Sequence, residues 1–132
     1  MQLRLDITKQ PKAVVVRCQG RIVFGQEVDD LRLAVLSLLK ETNRVILALS
    51  SVDHIDSEGL AALVGLFISA RNRGGELKLA ELSAKAQELL RVTRLDEVFK
   101  TYKSVDEAIA SLQPKKAIVA GPRPRKEDET QF

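Results

Sequence analysis

The chain has 132 residues, of which 45% are hydrophobic and 30% charged, enough for one compact domain with a real core. Its net charge of +3 is unevenly placed: residues 113–132 hold five basic and three acidic side chains, leaving sixteen basic against fifteen acidic in the body. A body so nearly neutral argues against a basic nucleic-acid-binding face, and one cysteine and one histidine cannot by themselves build a disulfide or a zinc site.

Leu3, Leu5 and Ile7 alternate with Arg4, Asp6 and Thr8, which predicts a strand with one wet face. Gln10-Pro11-Lys12 makes a turn into a second strand over residues 13–19. In that strand Val14, Val16 and Cys18 share one face, so Cys18 reads as core filler and not as a reactive thiol. Gly20 is expected to end the strand at a sharp bend. Val28, Leu31, Val35 and Leu38 then recur at helical spacing, predicting a helix over residues 24–40 that Thr42-Asn43 stops.

Residues 45–49, V-I-L-A-L, lack any polar alternation and predict a central strand covered on both faces. Residues 50–55 are expected to be a loop leading to a second helix. Asp56 and Ser57 stand where its N-cap belongs, with Gly59 in the first turn. Leu60, Leu63, Val64 and Phe67 give this helix an apolar side, and Leu66 and Ile68 point towards others, where an enlarged apolar patch would mark a partner or dimer surface. Arg71 and Arg73 complement the helix dipole at its end, and Gly74-Gly75 supplies a left-handed cap.

A strand over residues 76–80 follows, with Leu77 and Leu79 inward. Ser83 caps a third helix over 84–92, and Val98-Phe99 with Thr101-Tyr102 predict a short edge strand. Ser104 and Glu107 are spaced as a capping box for a last helix to Leu112. After Gln113-Pro114 the pattern dissolves, and 113–132 reads as a disordered, solvated tether outside the domain of residues 1–112. The order β-β-α-β-α-β-α-β-α predicts an α/β fold: a mixed sheet of four to five strands, an N-terminal hairpin and then parallel β/α units, packed with four helices.

Arg4 and Asp6 interrupt any signal sequence, and no run approaches the roughly 18 apolar residues of a bilayer span, so a cytoplasmic address is expected. Gly74-Gly75 closes a helix and opens none, so there is no phosphate loop and no cofactor is implied. His54, beside Asp53 and Asp56, could form a Ser-His-Asp device only by orienting Ser57, yet both would sit on one tight loop with no oxyanion hole. No enzymatic activity is expected, and His54 reads as a loop side chain at the slot before the helix.

Taken alone, D-S-E-G before an apolar helix is a helix cap. In its setting, however, V-D-H-I-D-S-E-G-L after V-I-L-A-L and before A-A-L-V-G-L resembles the signature of the STAS domain, and within it the anti-sigma factor antagonists. The resemblance extends over residues 3–112. It implies that Ser57 is a phosphorylation site, that Asp56 caps the helix and helps define that site, and that Gly59 keeps the approach open. It also implies a partner surface of His54, Asp56, Ser57, Glu58, Gly59 and Leu60.

The partners implied are an anti-sigma factor that is also a serine kinase, bound when Ser57 is unphosphorylated, and a phosphatase. Neither nucleic acid nor membrane is implied, and the chain is expected to be a monomer or weak homodimer. One departure stands out: some antagonists carry a polar residue, often Asp, where G-R-I-V-F here places Val23, so a nucleotide or kinase contact at that point does not transfer. The alternative is a STAS interaction module in another assembly, such as a signalling scaffold or a transporter accessory subunit.

Overall fold

The computed structural model describes residues 3–112. The 113–132 segment expected to be a tether lies outside the described residues. Ten elements follow one another: β1 (Arg4–Lys9), β2 (Val14–Ile22), α1 (Gln26–Leu38), β3 (Arg44–Ile55), α2 (Ser57–Asn72), β4 (Glu76–Ala80), α3 (Ala84–Val92), a single 3₁₀ turn at Leu95–Glu97, β5 (Thr101–Tyr102) and α4 (Val105–Ala110). The five strands form one sheet in the order β1-β2-β3-β4-β5, antiparallel at β1–β2 and parallel at every other pairing.

The sheet is covered unequally. On one face Val14, Val16 and Cys18 of β2, Val45, Leu47 and Leu49 of β3, and Leu77 and Leu79 of β4 pack under α1 and α2. Val28, Leu31, Val35 and Leu38 are the buried positions of α1, the four that the helical period marks. On the other face Val15, Ile46, Ala48 and Ala80 pack under Val105, Ala108 and Leu112. The small residues at 48 and 80 let the short α4 sit close. Each large side chain removed from water here contributes about 1.5–3 kcal/mol, so the central strand β3 holds the layers together.

Several boundaries differ from the sequence reading. Gly20 does not end β2: with φ +118° it sits in an irregular stretch where the β2–β3 register shifts, and pairing resumes at Arg21↔His54 and Ile22↔Ile55. Residues 50–55 are not a loop, because β3 runs on to Ile55 along β2, well past the end of β4 at Ala48↔Ala80. His54 is therefore a strand residue. The alternation test missed this because Ser50, Ser51 and Asp53 are polar on a stretch that β4 does not cover.

Helix α1 starts at Gln26 and not at residue 24, since Gly25 turns the chain at φ +115°. Phe99 is core and not strand, meeting Phe67 edge-on with ring centroids 5.3 Å apart. Leu66 is buried, so the apolar patch expected over Leu66 and Ile68 reduces to Ile68.

The end of α2 depends on a close approach. The Gly75 N–H donates to Ala70 O at 2.8 Å after Gly74 takes φ +77°, and a Cβ on Gly75 would stand 2.0 Å from the Asn43 carbonyl oxygen. Gly75→Ala is accordingly expected to cost about 1–3 kcal/mol through overpacking against backbone, read as a lower urea midpoint at unchanged slope. Burial pushes the Cys18 thiol up to about 12, so a thiol reagent should label it at the rate of unfolding, and fast labelling of the native protein would contradict its placement.

Candidate functional site

Parallel strands deliver their following turns to one edge of the sheet. The turn from β2 into α1, Val23-Phe24-Gly25, and the junction from β3 into α2, Ile55-Asp56-Ser57, therefore lie side by side. Asp56 is the N-cap of α2, with extended backbone at φ −95°, ψ −176°. Its Oδ1 accepts from the Gly59 N–H at 2.8 Å, filling one of the donors a helix start leaves unpaired. Its Oδ2 accepts from the Phe24 N–H at 3.0 Å, and its own N–H donates to the Ile22 carbonyl at 3.3 Å. One carboxylate thus clasps two turns together.

The Phe24 N–H first, then those of Gly59 and Glu58 and the charge of nearby His54, hold the Asp56 carboxyl below its ordinary range, while desolvation works the other way. Gly59 is fixed by the same geometry. A Cβ there would stand 2.0 Å from the Ile22 carbonyl oxygen, so the close approach it permits is that of helix α2 to the end of β2.

Ser57 occupies the first helical position, one residue after the cap, and is exposed. The chain supplies its own contrast. Ser83 and Ser104 are N-caps, and their hydroxyls accept from the Ala86 and Glu107 N–H groups at 3.1 Å each. At Ser57 the capping task belongs to Asp56 instead, so the seryl oxygen is not held in that bond.

Of the other residues singled out from the sequence, His54 and Glu58 are exposed and Asp56 is half-buried, all at this edge. Gly59 and Leu60 are buried, Leu60 within the core. Sequence reasoning placed Phe24 inside a helix and missed its part in the site; the signal was an aromatic immediately before Gly25 in a turn. It is 75% exposed.

Beside this edge, a cleft of about 280 Å³ separates the end of β3 from α3. Val52, Ala86, Leu89 and Val92 give it apolar walls, and Asp53, His54, Lys85 and Glu88 line it as well. Among the described residues no group of three or more His, Cys, Asp or Glu side chains could hold a metal ion, and no helix is long and apolar enough to cross a membrane.

The sequence pattern of the STAS domain matches residues 4–108. A Thermotoga maritima protein provisionally named an anti-sigma factor antagonist is 33% identical over 78 residues, which are 59% of this chain and 69% of its own. The anti-sigma-B factor antagonist of Bacillus subtilis is 29% identical over 99 residues, 74% of this chain and 89% of its own. The crystal structure of a sulfate transporter family protein from Wolinella succinogenes superposes with a TM-score of 0.66 at 26% identity, over 78% of this chain and 86% of that one.

The clasp can be tested through pH. A carboxyl whose folded pKa lies below its unfolded value of about 3.9 adds stability that is present above that pH and lost as pH falls through the folded pKa. Asp56→Asn keeps a capping oxygen but not the charge. It should lose stability relative to the parent at pH 7, and the gap should close towards pH 3, in urea titrations at both values. Asp56→Ala should lose about 1 kcal/mol more with the cap itself.

Proposed function

This chain belongs to the STAS domain family, and we propose that it acts as an anti-sigma factor antagonist whose partner choice is set by phosphorylation of Ser57. The observation that carries this reading is the placement of Ser57: exposed, at the first position of α2, with its capping duty taken by Asp56. The names of the Thermotoga and Bacillus relatives support the class of partner. In this reading the unphosphorylated protein binds an anti-sigma factor that is also a serine kinase. Transfer of the γ-phosphoryl group of ATP to the Ser57 oxygen, with ADP and the hydroxyl proton leaving, releases it, and a phosphatase restores the hydroxyl by hydrolysis to inorganic phosphate. Such a switch acts through binding, its direction is driven by the kinase's ATP, and the chain itself need catalyse nothing.

The physical balance favours control of docking over control of folding. A phosphoserine brings roughly −1.5 to −2 charges. At the start of α2 the dipole and unpaired N–H groups favour an anion by about 0.3–1 kcal/mol, so the fold should tolerate it. An uncompensated charge buried in a contact costs on the order of 3–5 kcal/mol. His54, Asp56, Ser57 and Glu58 form the accessible part of the proposed contact, while Gly59 and Leu60 hold the helix beneath it. A monomer or weak homodimer is the assembly proposed, in the cytoplasm where a sigma factor works.

The likeness to the Wolinella succinogenes transporter-family protein favours a second reading, a STAS module that serves a transporter without sigma-factor control. Incubation with ATP and the candidate kinase separates the two. The first reading expects a gain of one phosphate on the peptide containing Ser57 by mass spectrometry, none on Ser57→Ala, constitutive kinase binding by Ser57→Ala, and at least tenfold weaker binding by a well-folded Ser57→Glu. Tight binding by Ser57→Glu would sink it.

A further inference from the structure

Phe24 is the most exposed large apolar side chain among the described residues. Its flanks explain why the ring stays out. Ile22 and Val23 are buried, the Phe24 N–H is held by Asp56 Oδ2 at 3.0 Å, and Gly25 swings the chain into α1 at φ +115°. The backbone on both sides is thus fixed, and with it the direction in which the Phe24 side chain leaves the chain. A turn needs no aromatic at such a point, and Asn, Ser or Asp would serve it as well. Exposed apolar residues scattered singly are ordinary, but this one is tied by a hydrogen bond to the residue that precedes Ser57.

The same edge carries the carboxylates of Asp53, Asp56 and Glu58 with Arg21 and His54, and the cleft beside it adds one charge of each sign, Lys85 and Glu88. It therefore offers an aromatic side chain in a surround of net negative charge. We propose that Phe24 is the apolar anchor that the partner kinase buries when it docks over Ser57. This rests on the reading of Ser57 as the phosphorylated residue, and it adds the chemistry of the partner: an apolar pocket for one phenyl ring, edged by Lys or Arg side chains that meet the carboxylates. Binding energy at protein interfaces concentrates in such central aromatics, surrounded by polar contacts that exclude water. Charge matching across the surround speeds encounter and sets orientation. A phosphate on Ser57 would stand within the footprint that Phe24 centres, so one modification would oppose both contacts.

The test uses the full chain as parent, Phe24→Ala and Phe24→Leu, titrated against the purified anti-sigma factor kinase of the same organism. Because the ring is exposed, all three should unfold at the same urea concentration. Phe24→Ala should bind at least tenfold more weakly and lose a similar factor in kcat/KM for Ser57 phosphorylation, and Phe24→Leu should recover most of both. Unchanged binding and phosphorylation of Phe24→Ala would overturn the anchor and leave the switch standing. A parent chain that the kinase neither binds nor phosphorylates would remove the switch, and the anchor with it. Self-association of the parent that Phe24→Ala abolishes, with kinase binding unaltered, would assign the ring to a second copy of this chain.

Discussion

Two hydrogen bonds to one carboxylate determine what this protein can present. Asp56 accepts from Gly59 at 2.8 Å and from Phe24 at 3.0 Å, and the two donors belong to different crossovers of the sheet. Without the second bond, the start of α2 would still be tied to the end of β2 by strand pairing and by the Asp56 N–H bond to the Ile22 carbonyl, but nothing from Asp56 would hold the turn beyond Ile22. With it, the relative position of that turn and the helix start is set to within a hydrogen bond's tolerance. The Gly59–Ile22 approach works in the same sense, since a helix start lying on a strand end with no Cβ between them has little room to slide. Rigidity at this edge would lower the cost of ordering it for the proposed partner, which is how preorganised surfaces gain affinity.

Much of the architecture was legible because several independent signals agree. The apolar run V-I-L-A-L, the 3.6-residue period of α1, the Gly74-Gly75 terminator and the serine caps at 83 and 104 each describe their element, and the element order alone predicts a parallel sheet behind a hairpin. What escaped was tertiary. Nothing local reveals that β3 continues through Ser50-Ser51-Val52-Asp53, because the partner that keeps it extended is β2, some thirty positions earlier. The alternation rule presumes cover of one or both faces, and this stretch outruns β4.

The candidate site was legible in part for the same reason. Asp56, Ser57 and Gly59 form a local pattern that can be read from the helix start alone. Phe24 joins them only through pairing of Ile22 with Ile55 and through the Asp56 clasp, neither of which a linear window contains. Gly59 has a packing reason that the helix-start pattern does not contain: a Cβ there would meet the Ile22 carbonyl, which is more than thirty positions away in the chain.

The three serines at helix starts show what a single position decides. A serine at the N-cap spends its oxygen on a backbone N–H, as Ser83 and Ser104 do, and modifying it would cost the helix its cap. A serine one residue later has no such obligation, provided another side chain takes the cap. Asp56 does so with one oxygen and still has the other for Phe24. With Asp56 as the cap, the modification proposed for the Ser57 hydroxyl would leave the helix cap in place. Replacing the pair Asp56-Ser57 by Ser-Ser would return the capping task to a hydroxyl, and would leave the neighbouring turn tied, at best, by a weaker neutral hydrogen bond.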